Sequence, residues 1–80
     1  MPHFCLNVRQ GDVLLEDPEG GEFVSVEAAR DEAIAAAREI MCEQIGRGEL
    51  PERNDCIEIM NHDGHLMLTV SFDEALPPGP

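Results

Sequence analysis

The sequence predicts an α+β domain of order ββαββ: a four-stranded, largely antiparallel sheet with one helix packed on one face. Three observations predict it. Short alternations of apolar and polar residues at 3–8, 56–60 and 66–72 have the two-residue period of half-buried strands. One long segment, 26–45, has the helical period instead. Between the last two strands lies Asp63-Gly64, the strongest short hairpin signal.

Phe4, Leu6 and Val8 alternate with His3, Cys5 and Asn7 in the first strand. Gln10 and Gly11 interrupt it, and Val13, Leu14 and Leu15 resume an apolar run. A two-residue turn is expected to set Val8 opposite Val13 and Leu6 opposite Leu15, which puts both apolar sets on one face. Glu16 to Glu22, an acidic loop punctuated by Pro18, Gly20 and Gly21, ends that hairpin. In the helix, Ala29, Ala33, Ala36, Ala37, Ile40, Met41 and Ile45 share a stripe, and its small alanines suit close approach to a sheet. Ser25 is the expected N-cap, Val24 the residue that staples onto the first turn, and Glu27, Asp31 and Glu32 lie near the positive end of the helix dipole. Gly46, Gly48 and Pro51 stop it. With Asp63 and Gly64 as central turn residues, Ile59 faces Leu68 and Ile57 faces Val70 under the helix. Cys56, Glu58, Met60, His62, His65, Met67, Thr69 and Ser71 then share the opposite face, unless a three-residue loop with a bulge shifts the pairing. Residues 1–75 form the domain, and 76–80 are a flexible Pro-rich tail.

Charge excludes several classes of function. Seventeen acids against five bases, all five arginine, give a net charge of −12. That balance opposes nucleic acid and anionic membrane surfaces, both of which need clustered cations. No stretch is long and apolar enough to cross a membrane, and the first ten residues lack the pattern of a signal peptide. Cys5, Cys42 and Cys56 are odd in number and have no C-x-x-C spacing, so reduced thiols in the cytoplasm are expected.

The residues also resemble a known family. Met1, Pro2, Phe4, Asn7, Val8, Arg9 and Gly11 at the opening are followed by Asp17, Glu19 and Gly20. Then come Glu27, Ala28, Ala29, Arg30, Glu32 and Ala33, and finally Asp63, Gly64, Leu68, Val70 and Phe72. In this order and spacing they are similar to an uncharacterised bacterial family of short acidic proteins, catalogued as a domain of unknown function. The resemblance covers residues 1 to about 76 and implies the fold, with no activity, cofactor or catalytic residue. Cys5 departs from it, at a place where similar sequences look aromatic; His62 and His65 are not part of the pattern.

Candidate chemistry is sparse. A two-residue turn directly opposes His62 and His65, with Met60 and Met67 one step further along the same face, and imidazole with thioether suits a soft ion such as copper. The commoner reason for polar residues there is the turn itself. His3 and Cys5 face the same way, but acidic surroundings raise a thiol pKa and work against a nucleophile. The carboxylate pairs Glu16/Asp17 and Asp31/Glu32 lack a cleft to desolvate one partner, and Asp17, Glu19 and Glu22 lack the spacing of a helix–loop–helix calcium site. Without Lys, Tyr or Trp there is no Schiff-base nucleophile and no phenolic acid. The expectation is a non-enzymatic interaction module, without cofactor, that homodimerises through its open sheet face or an edge. Cys56, Met60, Met67, His62 and His65 would lie at that interface. Two alternatives stand beside it: an acidic protein that occupies a basic surface of another protein, and soft-metal binding through the His62/His65/Met60/Met67 hairpin.

Overall fold

In a computed structural model that describes residues 1–77, five strands and two helices follow one another along the chain. They are β1 (His3–Gln10), β2 (Val13–Leu15), β3 (Gly21–Glu22), α1 (Val26–Gly46), β4 (Cys56–Asn61), β5 (Leu66–Ser71) and α2 (Phe72–Ala75). The sheet order is β2-β1-β4-β5, every pairing is antiparallel, and β3 shares with β2 the outer edge of β1. The α+β class therefore holds, with a fifth short strand where an unbroken acidic loop was expected. Residues 78–80, part of the expected tail, lie outside the described residues.

The sheet side facing α1 carries the core. Phe4, Ile57, Ile59 and Val70 are buried against Ala29, Ala33, Ala37 and Met41, with Leu6, Val8, Ile34, Ile40 and Leu68 at the margin. Alanines every four residues let α1 lie close on the strands, and the shortest dimension, 17 Å, is that of one sheet and one helix. The Ser25 hydroxyl accepts from the Ala28 N–H at 3.1 Å, as its N-cap position requires. The helix stops where Gly48 turns to φ +81° and donates its N–H to the Ile45 carbonyl at 2.9 Å.

Four expectations are corrected. The first hairpin turns through Gly11-Asp12, with Gly11 at φ +60°, so Gln10 pairs Val13 and Val8 pairs Leu15. A glycine in the left-handed region fits the first position of a tight hairpin turn, and it moves the register by two residues without changing faces. Val13 and Leu15 nevertheless remain 55% and 54% exposed, because α1 packs on β1, β4 and β5 and leaves β2 uncovered. Val24 points to solvent, and Phe23 takes its place by packing on Phe4 with ring centroids 6.3 Å apart. At the other end of α1, Ile45 is exposed rather than part of the buried stripe.

The fourth correction concerns Phe72, which leaves the strand and opens α2. Ser71 and Glu74 form a capping box: the Ser71 hydroxyl accepts from the Glu74 N–H at 3.1 Å, and the Glu74 carboxylate accepts from the Ser71 N–H at 3.0 Å. This single turn places Phe72 and Ala75, both without exposed surface, against α1. The Ser71 N–H bond, helped by Arg30, holds the Glu74 carboxyl below its ordinary value near 4.5. A carboxyl whose folded pKa is depressed contributes stability above the unfolded value, and that contribution is lost as pH falls through the folded value. Glu74→Gln keeps an acceptor but cannot titrate. The stability difference between the two proteins, read from urea midpoints, is therefore expected to shrink as pH is lowered from neutral to below 4.5, the ordinary Glu74 value.

Candidate functional site

The sheet face away from α1 is open, and at its β1–β3 end the chain builds a cleft of about 530 Å³. One wall is the loop after β2, with Glu16, Asp17 and Pro18; the floor is His3, Cys5 and Asn7 of β1; the far side is Met60, Asn61 and His62 at the end of β4. Asp17 sets the loop. It fills the gap between β2 and β3, where β1 would otherwise present unpaired backbone. Its carboxylate accepts from the Leu6 N–H at 3.3 Å and from the Gly20 N–H at 3.1 Å, while its own N–H donates to Asn7 Oδ1 at 2.9 Å. Gly20, at φ +63°, lies against the floor. A Cβ there would stand 2.6 Å from His3 Nε2, 2.6 Å from the Phe4 carbonyl and 2.9 Å from Cys5 Sγ. The acidic loop is thus a fitted part of the edge, with Asp17 half-buried and fully used.

The structure brings together some of the residues singled out from sequence and separates others. Met60 and His62 line the cleft, whereas His65 and Met67 do not. The hairpin loop is three residues long: the Asn61 N–H donates to the His65 carbonyl, Asn61 Oδ1 accepts from the Asp63 and His65 N–H groups, and Gly64 is at φ +84°. A bulge follows, so Met60 pairs Leu66 rather than Met67, while Ile57↔Val70 and Ile59↔Leu68 stand as expected. His62 and His65 are therefore not opposed, and His62 instead rests on Asp63, Nε2 to Oδ1 3.2 Å. Cys56 lies at the far end of β4 opposite Arg9, with burial first and then Glu58 pushing its thiol pKa up, away from thiolate reactivity. Among the described residues, no three His, Cys, Asp or Glu side chains come close enough to hold a metal ion. Sequence reasoning overlooked the close approach of Gly20 to His3 and Cys5 and the meeting of those two residues with Met60. Strand parity shows the first pair, but only the β1–β4 register, Cys5↔Met60, supplies the third residue.

Every arginine has a partner. Arg9 pairs with Glu58 at 3.0 Å in the middle of the open face, Arg30 with Glu74, Arg47 with Glu49 and Arg53 with Asp73, and Arg38 donates to the Ala75 carbonyl at 2.6 Å. Among the described residues, four of the 17 acids are paired with an arginine, and the other 13 have no arginine partner.

Residues 3–73 match a family described as a domain of unknown function, DUF6894. The chain belongs to the DUF6894 family. The match runs from the start of β1 into α2, so the cleft, the Asp17 loop and all of the buried core except Ala75 lie inside the DUF6894 domain. No curated protein and no solved structure matches the chain. No helix is long and apolar enough to cross a membrane among the described residues.

Proposed function

We propose that the protein is a non-enzymatic cytoplasmic interaction module that self-associates by pairing the free edge of β5 with β5 of a second copy. The observation that carries this reading is the contrast between the two sheet edges. β2 and β3 are short and set among Asp12, Glu16, Asp17, Glu19 and Glu22, the charges that keep an edge from pairing. β5 is six residues long and has no Asp, Glu or Arg from Gly64 to Phe72, in a chain of net charge −12. Leu66 and Met67 on it are 54% and 48% exposed. Antiparallel pairing about a two-fold axis would continue the sheet from one copy into the next without opposing like charges. Cytoplasmic residence is supported by the three cysteines, all free.

A second reading, an acidic protein that occupies a basic surface of another, is favoured by the charge balance: four of the five arginines are paired with carboxylates, in a chain of net charge −12. Salt separates the two. Screening weakens attraction to a basic partner but relieves repulsion between two acidic copies. Light scattering of the purified chain at high micromolar concentration is expected to give twice the monomer mass, more completely at higher salt. The double substitution Met67→Glu/Thr69→Glu on the exposed edge should return the monomer, while Val13→Glu on the opposite edge should not. A wild-type chain that stays monomeric across the salt range overturns the self-association reading.

A further inference from the structure

We propose that Cys5, His3 and Met60 bind a soft monovalent metal ion, copper(I), in the cleft on the open sheet face. His3 and Cys5 are two apart on β1 and point to the same side, and Met60 is the cross-strand partner of Cys5, so all three side chains line one cavity. His3 Nε2 and Cys5 Sγ both reach one point above Gly20, 2.6 Å and 2.9 Å from the place of its absent Cβ, and so are at most the sum of those two lengths apart. A metal–nitrogen bond of about 2.0 Å and a metal–sulfur bond of about 2.3 Å together span up to about 4.3 Å, a separation that lies inside this upper bound. A Cβ at position 20 would collide with both donor atoms.

The donor set selects the ion. Thiolate, thioether and imidazole are soft to borderline ligands, and copper(I) is content with two or three of them. A structural zinc site needs four, and among the described residues no three His, Cys, Asp or Glu cluster. Both Asp17 oxygens already accept backbone N–H groups, so the nearest half-buried carboxylate is not a free hard ligand. Excess negative charge over the surface raises the local concentration of any cation. Binding replaces the Cys5 S–H bond with a copper–sulfur bond; the proton goes to solvent and no electron moves. This site is not the His62/His65/Met60/Met67 set expected from sequence, which the three-residue turn pulls apart, and it does not depend on self-association.

The test is competition for copper(I) between the full chain and a chromophoric chelator, without oxygen. Cys42→Ser is the reference protein, because Cys42 is an exposed thiol on α1 that would take up copper by itself. One ion per chain is expected, abolished by Cys5→Ser and weakened at least about tenfold by His3→Gln or Met60→Leu. Cys56→Ser and His65→Gln should leave it unchanged. X-ray absorption at the copper edge should show both sulfur and nitrogen scatterers, a readout independent of any variant's folding. Circular dichroism and the unfolding midpoint of each variant separate lost binding from lost fold. The proposal is overturned if the folded Cys5→Ser chain binds as tightly as the reference, if the reference does not compete, if copper sees no sulfur, or if zinc(II) binds as tightly as copper(I).

Discussion

Phe72→Ala is expected to lower the unfolding free energy by about 3–5 kcal/mol, the cost of emptying a large aromatic site in a core that cannot collapse around it. Phe72 has no exposed surface and is the largest of the fully buried side chains. It is held by the capping box of α2 and by its own N–H, which donates to the Asp55 carbonyl at 2.8 Å, so the helix turn cannot follow a smaller residue inward without breaking that bond. Domains of this length are stable by about 0.05–0.15 kcal/mol per residue, so the loss takes a large share of the whole. Urea unfolding followed by circular dichroism should show the midpoint falling to a fraction of its original value. Leu76→Ala, four residues on and 37% exposed, should move it little. A Phe72→Ala shift no larger than that of Leu76→Ala would mean that α2 does not close the core.

Gly20→Ala is the second large effect, and it can be separated into its parts. Positive φ costs an alanine roughly 1 kcal/mol relative to glycine. Gly48, at φ +81° with nothing within 4 Å of its Cβ position, measures that cost alone. At Gly20 the added methyl also meets the Phe4 carbonyl at 2.6 Å, a backbone atom that β1 holds between β3 and β4. Gly20→Ala is therefore expected to cost about 2–3 kcal/mol more than Gly48→Ala, within the range for overpacking a filled site. It should also displace His3 and Cys5 and abolish copper(I) uptake in whatever folded protein remains. Equal shifts for the two substitutions would show that the loop moves aside and the fit at the floor of the cleft is loose.

Much of the fold is legible in the sequence, for identifiable reasons. Ser25 and the alanine stripe announce α1 because capping and periodicity are local. The pairings Ile57↔Val70 and Ile59↔Leu68 are legible because alternation fixes which residues share a face, and one slip would expose them all. The same rule preserved the parity of β2 when its turn moved by two residues. It could not say that α1 would sit off-centre and leave Val13 and Leu15 uncovered, since helix position is a matter of tertiary packing. α2 was legible and passed over: Ser71-x-x-Glu74 is a capping signature, hidden by Phe72 continuing the strand's apolar run. The cleft is the least legible part. It needs β1, the loop after β2 and the end of β4 brought together at once, and a long-range register is not written in any single segment.

β1 sits in the middle of the sheet although it precedes the other four described strands in the chain, with β2 and β3 on one side and β4 on the other. Contacts such as Arg9 with Glu58 span 49 residues, so on the ribosome the nascent strand must wait, half-paired, until nearly all of the domain has emerged. During that interval the acidic segment that follows β1 is already available to occupy its first edge. One edge of β1 thus has its partner in the chain before β4, the strand that covers the other edge, has been made.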